Sequence, residues 1–153
     1  MKKIVSAALL LALCGAVHAE VTVKDAWVRG TTPAQRATGA FMEIVSSEDA
    51  VVLSASSPAA GAVELHTMKL EDGIMKMRAI PRLELPAGKP VLLAPGANHI
   101  MLLDLKKQAK PGGVVPIILK VEGKDKKVHS VEIRAQVRDL TATAAPAEHD
   151  HKH

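Results

Sequence analysis

Tyrosine is absent from this chain, and Trp27, Phe41 and Cys14 are each the only residue of their kind. So few aromatics leave almost no platform on which unpaired bases could stack. The formal net charge is only +4, two of those charges sit on Lys2 and Lys3, and no basic stripe is present. A nucleic-acid partner is therefore not expected. A core made with so few aromatics must be built from Val, Ile, Leu and Ala. No apolar run approaches the roughly 20 residues needed to span a bilayer, so no stable membrane insertion is expected once the leader described below is removed. Helical periodicity does not survive across any long window, and there is no internal repeat. A His-Glu-x-x-His motif is also missing.

Residues 1–19 read as an export leader. Lys2-Lys3 supply the positive start, Ile4 to Leu13 the short apolar stretch, and Val17-His18-Ala19 the small residues before a cut. This predicts a periplasmic protein. The competing route is lipoprotein processing at Cys14, within Leu11-Ala12-Leu13-Cys14-Gly15, although Leu13 is bulky for the position before a lipidated cysteine. After cleavage behind Ala19 the chain keeps no cysteine, so it has neither a disulfide nor a thiolate ligand. In an oxidising compartment His and Met stay usable as ligands where thiols are oxidised.

What remains is a chain of short β-branched segments separated by turn chemistry. Strands are expected at Val21–Arg29, Thr38–Val45, Ala50–Ala55, Gly61–Met68, Ile74–Ile80, Val91–Leu93, His99–Leu105, Val114–Glu122 and Lys127–Val137. Asp72-Gly73 is a strong hairpin signal, and Gly123 to Lys126 marks the clearest hairpin of all. Short strands can lie between Pro81, Pro86 and Pro90. Turns every 8 to 12 residues predict an all-β sandwich or barrel. The length suits one domain, residues 20–140. From 141 to 153 the composition reads as a disordered tail ending in Glu148-His149-Asp150-His151-Lys152-His153.

The chemistry concentrates between Glu64 and Asp104. His66-Thr67-Met68, Met75-Lys76-Met77 and His99-Ile100-Met101 each place two potential ligands at i and i+2, hence on one face of a strand. Imidazole with thioether suits a soft ion such as Cu(I). His66, Met77, His99 and Met101 are the candidate ligands, and packing roles for the same residues are the competing reading. A catalytic zinc site would recruit His with carboxylates or thiolates instead. Met68 and Met75 are read as lining the apolar rim, Met42 as core, and Trp27 as packed in or beside the core. His129 is read as structural or exposed. His149, His151 and His153 form a possible second site, better suited to Cu(II) or Zn(II). The Lys106, Lys107, Lys110 group and the Lys120, Lys124, Lys126, Lys127 group read as solvated faces.

His66 is followed by ten residues and Met77, then twenty-one residues and His99-Ile100-Met101. Asp25-Ala26-Trp27-Val28-Arg29, Thr38-Gly39-Ala40-Phe41-Met42 and Ile100-Met101-Leu102-Leu103-Asp104-Leu105 surround that spacing. In these residues the chain resembles the periplasmic copper chaperones called PCuAC, over roughly residues 20–138. The resemblance implies a cupredoxin-like Greek-key β-sandwich or barrel. It also implies one Cu(I) held by His66, Met77, His99 and Met101. Delivery to a copper-accepting subunit of a respiratory haem-copper oxidase, alongside Sco-type copper proteins, is implied as well. A monomer without enzymatic activity is expected. The rivals are a periplasmic copper storage or resistance protein, a copper redox enzyme, and a non-metal structural β-sandwich.

Overall fold

The computed structural model describes residues 19–142. Ten strands occupy them: β1 (Val21–Arg29), β2 (Ala37–Ser46), β3 (Ala50–Ser56), β4 (Ala60–Glu71), β5 (Ile74–Ala79), β6 (Leu83–Leu85), β7 (Val91–Leu93), β8 (His99–Leu105), β9 (Val114–Gly123) and β10 (Val128–Arg138). No helix occurs among the described residues. The bounds follow the sequence expectation closely. The largest difference is at β4, which runs three residues past Met68. It continues because β4 and β5 stay paired up to Glu71↔Ile74. Asp72 and Gly73 then turn the chain with φ of 53° and 77°, the positive pair that suits a tight hairpin to right-handed strand twist.

The strands form one ten-stranded ladder in the order β5-β4-β8-β2-β1-β10-β9-β3-β6, with β7 on β2. β1 and β10 are parallel, through Trp27↔Gln136 to Arg29↔Arg138. The other pairings are antiparallel. β2 changes partner along its length, lying against β8 from Ala37 to Ala40 and against β7 from Met42 to Ile44. The ladder curls until β3 lies beside β4, joined by a turn in which the Ala60 N–H donates to the Ser57 carbonyl at 3.3 Å. The seam between these two strands is lined by Ala55, Val63, Leu65 and Ile80.

Period-2 alternation fills the inside of the curl with aliphatic side chains. Val28, Ile44, Val52, Ile100, Leu102 and Ile117 are all sealed from solvent, and Met42 joins them. Each such burial stabilises the fold by about 1.5–3 kcal/mol relative to an exposed side chain. The two aromatics are not in that core. The β1–β2 register shifts between Lys24 and Trp27, where Asp25 has φ 49°. This is a bulge, and it re-aims the residues that follow. Trp27 then pairs with Phe41 on the outer face of the sheet, where the rings tilt together at 4.5 Å. Trp27 therefore packs beside the core. The Arg138 guanidinium lies 5.0 Å from its ring centre, and that of Arg29 5.3 Å from the ring centre of Phe41.

Candidate metal centre

β4, β5 and β8 set the site by register. His66 pairs with His99, and Glu64 with Met101. On the other side of β4, His66 pairs with Ala79 and Met68 with Met77. Directly opposed residues share a face, and so do residues two apart. Glu64, His66, Met68, Met77, His99 and Met101 thus all lie on one face. It is the outer one, because Leu65, Ile100 and Leu102 take the inner positions. The imidazoles are nevertheless covered: His66 is 8% exposed and His99 6%, whereas Met77 is 47% exposed. Two buried imidazoles lie behind a thioether at the mouth.

The hydrogen bonds fix which ring nitrogens are free. The Ala97 carbonyl can only accept, so His99 Nδ1–H donates to it at 2.9 Å. In a neutral ring that leaves His99 Nε2 without a proton, and it faces the Met77 sulfur at 3.1 Å. Two lone pairs then converge with no hydrogen between them, an arrangement a cation satisfies. His66 Nε2 lies 2.7 Å from Glu64 Oε2. With its Nε2–H donated to the carboxylate, His66 Nδ1 is the bare atom, and it is buried without a partner. A buried unpaired acceptor costs on the order of 1–3 kcal/mol, which a bound cation would recover. A carboxylate or carbonyl behind each imidazole is the arrangement that orients metal-binding histidines.

Arg29, Phe41, Met77, Gly96, His99 and Met101 line an open cleft of about 290 Å³. Phe41 stands 6.2 Å from the His99 ring, and His99 stands 5.6 Å from His66. Trp27, Phe41, His99 and His66 therefore make one continuous row of rings. Gly39 leaves room for it: a Cβ there would meet Phe41 Cζ at 2.7 Å. Among the described residues no three His, Cys, Asp or Glu side chains come together to hold a metal. The further donors that line this cleft beside His99 include the sulfurs of Met77 and Met101.

Three of the four candidates, Met77, His99 and Met101, line this cleft, and His66 lies beside it. His99 contacts Met77, His66 pairs with His99, and Met101 lines the same wall. Met68 and Met75 lie on β4 and β5 beside Met77, at the outer rim. His129 sits on β10 opposite Val121, off the strands that build the site. The flagged lysines are exposed. Cys14 and the tail histidines His149, His151 and His153 lie outside the described residues. Glu64, Gly39 and Phe41 lie in segments that resemble the family, but the sequence assigned none of them a role at the site. Glu64 carried a usable signal, a carboxylate two residues before His66 and so on its face. Gly39 and Phe41 carried only the family resemblance of their segment, since their nearness to the site depends on long-range register.

The family model described as LpqE-like ("Putative lipoprotein LpqE-like") matches residues 21–137. A protein of Leifsonia xyli subsp. xyli (strain CTCB07), named "Putative lipoprotein Lxx21020", is 33% identical over 128 residues, covering 74% of this chain and 77% of its own. The solution structure of CuI-DR1885 from Deinococcus radiodurans is similar with a TM-score of 0.60 at 31% identity, over 82% of this chain and 83% of that one. The copper-bound PCuAC domain from PmoF2 has a TM-score of 0.64 at 20% identity, over 80% and 99%. The latter is a likeness of fold, and the all-β, cupredoxin-like architecture is the one expected from the sequence.

Proposed function

The chain belongs to the LpqE-like family, and from that premise we propose that it is a copper chaperone of the PCuAC type. It carries one Cu(I) on His66, Met77, His99 and Met101. The observation that carries this reading is the bare His99 Nε2 set against the Met77 sulfur at 3.1 Å. Support comes from the orphaned His66 Nδ1 and from the name of a relative at 31% identity, CuI-DR1885. A neutral set of two imidazoles and two thioethers favours Cu(I) over Cu(II), because thioethers are soft donors.

The role is carriage without turnover. Half-exposed Met77 is the ligand an acceptor can displace first, while the buried imidazoles hold the ion until replacement donors arrive. The acceptor is a copper-binding oxidase subunit, with Sco-type proteins as co-workers, on the resemblance to PCuAC proteins. Export accompanies this role. The lipoprotein names of the family and of the Leifsonia relative favour anchoring at Cys14 over cleavage behind Ala19.

An anaerobic Cu(I) competition titration against a chromogenic chelator tests the proposal. The chain from Glu20 to His153, a form ending near Thr143, and a Met77→Ala/Met101→Ala variant are compared. One tight equivalent is expected that survives tail removal and disappears in the double variant. Binding that follows the tail histidines alone would reduce the cleft to packing.

A further inference from the structure

The β4–β5 hairpin has two unlike sides. One carries Thr67, Lys69, Glu71, Ile74, Lys76 and Arg78, with Glu71 accepting from Arg78 at 2.8 Å and 3.4 Å from Lys76. The Arg78 hydrogen bond holds the Glu71 carboxyl below the ordinary carboxylate range. The other side carries Met68, Leu70, Met75 and Met77, and it runs straight into the cleft. Met68 stands directly opposite Met77, and Met75 follows two residues along on the same face. Three of the chain's six methionines thus meet on one side of a two-stranded arm. Met75 and Met77 are 50% and 47% exposed, so neither fills a core gap, the usual structural use of methionine. Leu70 is exposed on the same side, so this side is a contiguous apolar patch of the kind that marks a binding surface, and its three thioethers add soft donors to it.

We propose that Met68, Met75 and Met77 form a second, thioether-only Cu(I) site that stages the ion at the mouth of the cleft. This rests on the carriage role proposed above. Met77 belongs to both sets. An ion held by the three sulfurs reaches the inner site by exchanging its bonds to Met68 and Met75 for bonds to His99, His66 and Met101, with Met77 retained. Only ligands exchange, and copper stays Cu(I) throughout. Three neutral thioethers hold Cu(I) less tightly than a set containing imidazole, so the exchange runs inward when the inner site is empty. A full inner site keeps Met77 and leaves Met68 and Met75 for the next ion or for an acceptor.

The test uses the chain from Glu20 to His153 labelled at the methionine methyl groups. Cu(I) is added anaerobically to saturation while methyl resonances are followed by NMR. The first equivalent is expected to move Met77 and Met101. Later additions are expected to move Met68 and Met75, while Met42 in the core stays still. In a Met68→Leu/Met75→Leu variant the first phase persists and additions past the first equivalent move no further methionine methyl. In His99→Ala the inner phase weakens while Met68, Met75 and Met77 still respond. Methyls of Met68 and Met75 that stay unmoved at saturation, in both the parent and His99→Ala, overturn the staging site. A first equivalent that leaves Met101 and Met77 unmoved overturns the inner site instead. Emission of Trp27 checks that each variant is folded.

Discussion

Replacing Gly39 by Ala tests whether the row of rings is packed as tightly as the geometry requires. A Cβ at position 39 would lie 2.7 Å from Phe41 Cζ, where ordinary carbon contacts begin near 3.4 Å. The ring would have to move by roughly 0.7 Å or more, yet it is held between Trp27 at 4.5 Å and His99 at 6.2 Å. Overpacking of this kind costs about 1–3 kcal/mol. Against it stands the gain of about 0.5–1 kcal/mol from removing a glycine inside a strand. The net expectation is a loss of about 1–2 kcal/mol. Urea unfolding followed by Trp27 emission measures it directly, since this is the only tryptophan and it touches the displaced ring. The Gly39→Ala/Phe41→Leu double variant should be more stable than the sum of the single effects predicts, because the smaller side chain relieves the clash. A Gly39→Ala protein as stable as the parent, or additive single effects, would refute the packing argument.

Other outcomes follow from the same geometry. Met77→Leu keeps the apolar surface and removes the sulfur. Cu(I) affinity should fall at least about tenfold, with stability changed by less than about 0.5 kcal/mol; Met42→Leu, in the core, should leave affinity untouched in the same competition titration. Glu64→Ala removes the acceptor of the His66 ring, and a drop in Cu(I) affinity of roughly 10–100-fold is expected, with a stability loss of about 1–3 kcal/mol from the ring N–H left unpaired. Cys14→Ser should move the protein from the membrane fraction to the soluble fraction if Cys14 is its anchor; an unchanged distribution would show that the leader is cut elsewhere.

Strand positions were legible because each one is bounded by local chemistry. Asp72-Gly73 closes one hairpin and Gly123 to Lys126 another, while proline limits Leu83–Leu85. The shared face of His99 and Met101 was equally local, a matter of spacing by two. That His66 meets His99 was not local: it depends on the β4–β8 register, set between segments more than thirty residues apart in the chain. The placing of Trp27 was hidden for a related reason. Before the bulge at Asp25, alternation alone gives no means of saying which face the tryptophan takes. The ligand set came from resemblance to a family spacing, and the alternation that it needs is visible in the strands.

β5 lies at the end of the ladder and is hydrogen-bonded to β4 alone. His66 and His99, by contrast, sit on strands held on both sides. Edge strands open locally at a fraction of the free energy of global unfolding. Met77 can therefore leave with its strand while the imidazoles and the core beneath them stay in place. Amide exchange should be fastest along Ile74–Ala79 and slow at Ile100. On the proposed carriage role, fraying of this one border would loosen the hold on the cargo while the rest of the ladder stays paired.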